Sequence, residues 1–337
     1  MSRSRAPVVQ KEGIAEVLDR LAGVLRNRKD PQAERAADRD AAAPIARGAQ
    51  AAPEQHNPPA KRNRSIGALL VDSGRLSPTD TEAVLRLARD EHLRFGDAAV
   101  RLGLVTRADV QHALARQFDY PYLAPGDDTL SPEVIAAYAP FSPAVQALRD
   151  LRTQLMLRWT DAEPPRKTLA LVSPGRGDGR SYLAANLAVV FSQLGERTLL
   201  IDADLRNPRQ HEIFRIPGRL GLSALLARRG DENVIHRIGG LLGLSVLPAG
   251  AAPPNPLELL SRSGFGALLS GLSAQYDVIV LDTPASELGT DFQSVAAAAG
   301  GALLITRRNV TRTADAQALS DSVAAAAVVV GAVINDH

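Results

Sequence analysis

The sequence predicts an α/β domain in which helices cover both faces of a mostly parallel sheet. From Thr168 onward, short apolar runs alternate with helical stretches. The runs are continuous, which is typical of strands buried on both faces, as in parallel sheets. Two of the runs end in Asp202 and Asp282, and parallel sheets bind ligands at the carboxyl ends of their strands. With 45% apolar residues in 337, the chain can supply a sizeable core.

Six apolar runs are the predicted strands. In chain order they are TLALV (168–172), RTLLID (197–202), LSVLP (244–248), YDVIVLD (276–282), GALLIT (301–306) and AVVVGAVI (327–334). The stretch SYLAANLAVVFSQLG predicts a helix that follows the first strand and ends at Gly195. A second, amphipathic helix is predicted over 143–160.

Two further regions are predicted before this domain. Residues 65–123 contain a repeat, in which Ser65–Ala88 aligns with Arg94–Gln117. Each copy predicts a short helix, a turn and a second helix that begins at Ser77 or Thr106. Residues 1–64 predict a largely disordered basic leader with one short amphipathic helix. The predicted organisation is therefore a leader (1–64), a helical repeat domain (65–123), a linker with a helix (124–160) and the α/β domain (161–337).

Composition narrows the class of protein. The chain contains no cysteine, which excludes disulfides and thiolate metal sites and fits a reducing compartment. The net charge is +2, and the basic excess lies in the leader, so no nucleic acid polymer is expected as a partner. The first residues do not resemble a signal peptide, and the longest apolar run, Val323–Ile334, is too short to span a bilayer. We expect a cytoplasmic protein.

The stretch SPGRGDGRSY (173–182) predicts a phosphate-binding loop. It stands between a strand and a helix, where backbone N–H groups and the helix N-terminus bind phosphate oxygens. Arg180 occupies the position at which such loops carry lysine, and the Ser181 hydroxyl is a predicted Mg²⁺ ligand. The predicted cofactor-binding residues of this stretch are Gly175, Gly177, Asp178, Gly179, Arg180, Ser181 and Tyr182.

Three aspartates follow two of the predicted strands. Asp202 and Asp204 end the run TLLIDAD, and Asp282 ends the run YDVIVLD. Carboxylates at this edge of a sheet can hold Mg²⁺ or accept a proton from an attacking hydroxyl. The predicted metal ligands are Ser181, Asp202 and Asp282, and the predicted catalytic residues are Arg180, Asp202, Asp204 and Asp282.

These motifs, with SPAVQALRDLRTQL and LPAGAAPPNPLELL, resemble the bacterial tyrosine kinases (BY-kinases) that control exopolysaccharide chain length. The sequence is most similar to their stand-alone cytoplasmic subgroup, EpsG, over about residues 142–337. The resemblance implies a P-loop NTPase domain that uses ATP and Mg²⁺. It places Arg180 and Ser181 in the Walker A motif, Asp202 and Asp204 in Walker A′, and Asp282 in Walker B. It also implies that Asn335 contacts adenine.

The resemblance implies partners as well. A transmembrane polysaccharide co-polymerase, or chain-length determinant, would activate the kinase and hold it at the inner membrane. Family members also assemble into homo-oligomeric rings through a Glu-x-x-Arg-x-x-Arg pattern, which here reads Gln146, Arg149 and Arg152. The tyrosine-rich tail of the family has no counterpart in the tyrosines of this chain, which are Tyr120, Tyr122, Tyr138, Tyr182 and Tyr276.

The repeat resembles a different family, the MshEN domain of type II secretion and pilus ATPases. Some of its members bind cyclic di-GMP, which implies a dinucleotide site at Arg94 and Gly96. A plain protein-docking domain is the alternative for this repeat. Two alternatives to a kinase stay open. One is a non-catalytic, cyclic di-GMP-responsive assembly module. The other is a ParA/MinD-type positioning ATPase, although Gly175 stands where such ATPases carry a signature lysine.

Overall fold

The computed structural model describes residues 65–117, 121–123, 127–160, 166–230, 232–241 and 243–336. The predicted leader, 1–64, lies outside these residues. The chain divides into two compact units between Val105 and Thr106. Within the described residues, no helix has the length and apolar content that crossing a membrane requires.

The described part of the first unit, from Ser65 to Val105, is helical. Its helices are α1 (Ile66–Asp72), α2 (Pro78–Asp90) and α3 (Phe95–Arg101). Ser77 caps α2 as predicted, because its hydroxyl accepts from the Asp80 N–H while the Asp80 carboxylate accepts from the Ser77 N–H.

The second unit begins with α4 (Arg107–Gln117), whose predicted start at Thr106 is confirmed by the same reciprocal bonding with Asp109. The other helices of this unit are α5 (Ile135–Tyr138), α6 (Pro143–Leu155), α7 (Arg180–Ser192), α8 (Gln210–Ile213), α9 (Leu222–Leu226), α10 (Pro256–Ser261), α11 (Ser263–Gln275), α12 (Asp291–Ala299) and α13 (Thr313–Ala324).

One seven-stranded sheet forms the centre of the second unit. Its strands are β1 (Thr168–Val172), β2 (Thr198–Asp202), β3 (His236–Arg237), β4 (Leu244–Leu247), β5 (Val278–Asp282), β6 (Gly301–Arg307) and β7 (Val328–Asn335). The spatial order is β3-β4-β2-β5-β1-β6-β7, and every pairing is parallel except that of β3 with β4. The predicted α/β fold class and all six predicted strands are confirmed.

Successive residues of each central strand enter opposite cores, as a strand buried on both faces requires. In β1, Leu171 packs with α7 on one face, and Ala170 packs with α11, α12 and α13 on the other. Because both cores are apolar and continuous, they fix the central strands relative to one another. The carboxyl ends of β1, β2 and β5 are therefore held next to each other at one edge of the sheet.

Three details differ from the sequence-based expectation. The strand β3 was not predicted, because its two residues form no apolar run and pair only with the edge of β4. The helix α7 ends at Ser192, and a turn then leads to Gly195. The helix predicted over 143–160 is α-helical only to Leu155, and Met156–Thr160 form a π-helical turn.

A substitution at Gly221 is expected to destabilise the second unit. A Cβ at this position would collide with the backbone of Pro248 and Gly250, where Leu222 N–H donates to the Pro248 carbonyl at 2.8 Å. Since backbone atoms cannot rotate away, we expect Gly221→Ala to cost roughly 2 kcal/mol or more of unfolding free energy. Urea denaturation measures this change.

Gly271→Ala is the matched control. Gly271 lies inside α11, and no atom comes within 4 Å of its added Cβ, so alanine should stabilise the helix slightly. Equal unfolding free energies for the two variants would contradict the predicted backbone collision.

Candidate nucleotide site

The segment Ser173–Arg180, here called the phosphate loop, joins β1 to α7. Its turn depends on two glycines, since Gly177 and Gly179 have φ angles of +80° and +93°. Gly179 is also the N-cap of α7 and lies against the Asn335 side chain, where a Cβ would collide. The loop therefore presents its backbone and the helix N-terminus at the carboxyl edge of the sheet, as phosphate binding requires.

Asp178 and Asn335 brace this loop. The Asp178 carboxylate accepts from Gly175 N–H at 2.8 Å and from the Thr311 hydroxyl at 3.1 Å. The Asn335 side-chain amide donates to the Asp178 carbonyl at 3.0 Å. Both predicted cofactor-binding residues thus lie at the loop, and the contacts they make here hold its shape.

Arg180 is buried and directed into the protein. Its Nε donates to the Thr283 carbonyl at 2.6 Å, and its Nη1 donates to the Gly175 carbonyl at 3.2 Å and also to the Ser173 hydroxyl. Its Nη2 lies 3.8 Å from Asp204 Oδ2. The guanidinium is therefore the cation that faces the predicted carboxylates, and it also links the two ends of the phosphate loop.

The aspartates Asp202, Asp204 and Asp282, here called the carboxylate cluster, are all buried. Asp202 and Asp282 are register partners at the ends of β2 and β5, so the structure brings the two predicted strand tips together. Asp202 accepts from three backbone N–H groups, those of Asp204 at 3.2 Å, Arg209 at 3.0 Å and Gln210 at 2.9 Å. These bonds fix the orientation of its carboxylate.

Burial disfavours the ionised forms of two carboxyl groups of the cluster. Burial raises the pKa of Asp202 well above its usual value, and the neighbouring Asp282 carboxylate raises it further. Burial also raises the pKa of Asp282, while the Arg180 guanidinium acts to lower it. Among the described residues, Arg180 is the buried arginine that faces these carboxyl groups, and an additional cation would favour their ionised forms.

Ser181 and Tyr182 lie in the first turn of α7 and are half-buried. The Ser181 carbonyl accepts from the Gln210 side chain at 3.1 Å. The pKa of the Tyr182 hydroxyl is raised, chiefly by burial and secondarily by the carboxylate of Glu133. Both residues therefore border the phosphate loop, and their roles as metal ligand and cofactor-binding residue stay predictions.

Gln210 is a residue of the site that sequence reasoning missed. It is fully buried, and its Nε2 donates to Asp282 Oδ2 at 2.8 Å as well as to the Ser181 carbonyl. It begins the four-residue helix α8, which has no hydrophobic periodicity of its own. No pattern in the sequence indicated that this glutamine approaches Asp282, 72 residues further along the chain.

The residues present fit Mg²⁺ together with a phosphorylated ligand. Asp282 Oδ1 is buried and accepts no hydrogen bond from any described residue. Among those residues, no three histidine or acidic side chains converge into a complete metal site. Mg²⁺ in nucleotide sites uses one or two carboxylates, and phosphate oxygens and water complete its shell. Asp282, Asp202 and the Ser181 hydroxyl would supply the protein ligands.

A cavity of about 740 Å³ lies beside the phosphate loop. Loop residues, among them Pro174 and Arg176, line it together with Glu287, Phe292 of α12 and Asp315 of α13. Neither Arg180 nor any member of the carboxylate cluster lines it. The cavity is therefore adjacent to the candidate metal position and does not include it.

The parallel sheet, the glycine loop that leads into α7 and the acidic strand tips define a P-loop nucleotide-binding domain. No family model matches the chain. The tyrosine-protein kinase YwqD of Bacillus subtilis is 34% identical over 203 residues, which cover 60% of this chain and 85% of YwqD. The chain is therefore a member of the bacterial tyrosine-protein kinase family.

Two other tyrosine kinases are similar to this chain. The tyrosine-protein kinase wzc of Salmonella typhimurium is 35% identical over 175 residues, which are 52% of this chain and only 24% of that longer protein. The kinase domain of the Escherichia coli tyrosine kinase ETK matches with a TM-score of 0.57 and 31% identity, over 60% of this chain and 79% of that domain.

Proposed function

We propose that this chain is an ATP- and Mg²⁺-dependent protein tyrosine kinase that regulates exopolysaccharide polymerisation, chain length or export. One observation carries the proposal: Asp202 and Asp282 pair in register at adjacent strand tips, while Arg180, at the end of the phosphate loop, faces Asp204. Family membership favours a kinase over both alternatives, a ParA/MinD-type ATPase and a non-catalytic assembly module.

Each residue then has a role in phosphoryl transfer. The backbone N–H groups from Gly177 to Ser181 would bind the phosphates of ATP, because those of Gly175 and Arg176 are already bonded to Asp178 and Glu287. The Arg180 guanidinium would turn from its internal partners to join them, and Asn335 would lie near adenine. Ser181 and Asp282 would hold the Mg²⁺, which neutralises charge on the phosphate oxygens. Asp202 would complete the metal shell or accept the proton of the tyrosine hydroxyl.

Labelled phosphate tests the activity. The full chain, incubated with γ-³²P-ATP and Mg²⁺ alone or with the cytoplasmic tail of a candidate activator, is expected to label tyrosine. Asp202→Asn should abolish the label, because it removes a carboxylate from the strand tips. Asp277→Asn is the control, since Asp277 lies at the surface and pairs with Arg197. Bound ATP without labelled tyrosine, in the presence and absence of the tail, would instead support an assembly module.

The finer identity is also a proposal. We propose that the chain is of the EpsG type, that its activator is a transmembrane polysaccharide co-polymerase at the inner membrane, and that it assembles into a ring. The resemblance of α6 and of the motifs around Asp202 and Asp282 supports this assignment. In α6, Arg149 donates to the Gln146 side chain at 3.5 Å, and Arg152 donates to the Val190 carbonyl at 2.6 Å.

For residues 65–123 we propose an MshEN-like domain that binds cyclic di-GMP at Arg94 and Gly96. The two-copy repeat supports this proposal. Arg94 is exposed at the start of α3 and Gly96 is buried within it, so an arginine side chain is accessible beside a closely packed backbone. An exposed arginine can stack on guanine or bind it through two hydrogen bonds.

A further inference from the structure

Gln210 contacts three of the residues proposed to hold the nucleotide and its metal. Its side-chain amide donates to Asp282 and to the Ser181 carbonyl, and its backbone N–H donates to Asp202. Gln210 thus forms hydrogen bonds with both Asp202 and Asp282, and it connects the tips of β2 and β5 from outside the sheet.

The orientation of the Gln210 amide is determined by its partners. Asp282 Oδ2 and the Ser181 carbonyl are both acceptors, so both hydrogens of the amide must point at them. The opposite atom, Oε1, is buried and receives no hydrogen bond from any described residue. The same is true of Asp282 Oδ1. Two buried acceptors without protein donors thus occur on two residues that are bonded to each other.

The Gln210 hydrogen bonds counteract repulsion between two carboxylates of the cluster. Asp202 and Asp282 stand opposite each other on adjacent strands, where like charges repel. Without a donor at Oδ2, the Asp282 side chain could turn away from Asp202. The Gln210 amide holds Oδ2 in place, so that Oδ1 keeps a fixed direction and remains available as an acceptor.

We infer that Gln210 is a positioning residue, which orients Asp282 and the first turn of α7 for a divalent cation bound with the nucleotide. The inference rests on the proposed function, because it assumes that the site takes a metal–nucleotide complex. Partners that orient a metal ligand typically contribute roughly 10–100-fold to metal affinity. Gln210 should therefore matter for the effect of magnesium on nucleotide binding more than for nucleotide binding itself.

Calorimetric titration of the full chain with ADP, once with Mg²⁺ and once with EDTA, tests the inference. Gln210→Met keeps the volume of the side chain and removes the amide. We expect the gain in ADP affinity that Mg²⁺ provides to fall at least about tenfold in this variant, while affinity in EDTA changes much less. Gln210→Asn has a side chain one methylene too short to reach both partners. It should lose less of the magnesium-dependent gain in ADP affinity, and it replaces the methionine variant in the test if that variant does not fold.

Gln193→Met is the matched control. Gln193 is also a buried glutamine, and it donates to the Pro121 and Ala136 carbonyls, away from the carboxylate cluster. Its variant should lose thermal stability and keep the wild-type effect of Mg²⁺. In an Asp282→Asn background, Gln210→Met should not change the effect of Mg²⁺ on ADP affinity any further, because Gln210 acts through Asp282.

The outcomes are separable. If the wild type shows no ADP binding with Mg²⁺, the proposed function fails. If the wild type shows a magnesium effect that Gln210→Met and Gln210→Asn both retain, or that Gln193→Met loses equally, the role of Gln210 is overturned and the proposed function stands.

Discussion

Replacing Asp282 by asparagine is expected to stabilise the nucleotide-free protein and to abolish magnesium-dependent phosphoryl transfer. Asp282 is fully buried beside Asp202, and burial raises its pKa. When the pKa of an acid is higher in the folded than in the unfolded state, the folded protein loses stability as the pH rises above the unfolded-state pKa of that acid. The neutral amide removes this penalty and can still accept from Gln210. The same change removes a proposed metal ligand, so transfer should fall by roughly 100-fold or more.

The stability effect is measured by calorimetry in EDTA without nucleotide. We expect the Tm of Asp282→Asn to exceed that of the wild type by about 2–4 °C near pH 8, and the difference to shrink toward pH 5. A Tm at or below the wild-type value at pH 8 would contradict the account.

Asp277→Asn should change stability in the opposite direction. The Arg197 guanidinium lowers the pKa of Asp277 to about 2, so this carboxylate stabilises the fold at neutral pH and loses its effect as pH falls through that value. Because the pair is exposed to solvent, its loss should cost at most about 1 kcal/mol.

Replacing Arg180 by alanine is expected to destabilise the protein severely and to weaken nucleotide binding. The guanidinium is the buried cation that faces the carboxylate cluster, and it also bonds the Thr283 and Gly175 carbonyls. Removing one member of a buried ion pair leaves an uncompensated charge, which costs about 3–5 kcal/mol. Urea denaturation gives the stability, and nucleotide titration of the folded fraction gives the affinity.

Arg180→Lys should fall between alanine and the wild type, because lysine keeps the charge and cannot bond all these partners at once. Arg176→Ala is the control from the same loop. Arg176 is exposed, and its guanidinium reaches Asn207 at 3.5 Å, so the change should stay within about 0.5 kcal/mol. If Arg180→Ala were as stable as Arg176→Ala, the guanidinium would not neutralise the cluster.

Much of the fold and part of the site could be predicted from sequence. Continuous apolar runs identified six strands, and parallel topology then required the aspartates after β2 and β5 to meet at one edge. Helix N-caps such as Ser77 could also be predicted from sequence, because capping depends on residues three positions apart.

The remaining features depend on approaches between distant segments. The inward direction of Arg180 follows from the Thr283 carbonyl and Asp204, and the role of Gln210 follows from Asp282. Asp178 was predicted to bind the cofactor from its place in the motif, and its bond to Thr311 could not be anticipated because it spans 133 residues. Hydrogen bonds of this kind have no periodic signature in the sequence.

The brace on the phosphate loop has a consequence for biosynthesis. Thr311 and Asn335 contact Asp178 across 133 and 157 residues, so both partners leave the ribosome long after the loop itself. A nascent chain that ends before Thr311 lacks both supports, since domains acquire such long-range contacts only after the late segments have been synthesised. The phosphate loop is therefore expected to reach its braced shape only after Thr311 and Asn335 have been synthesised and β7 has joined the sheet.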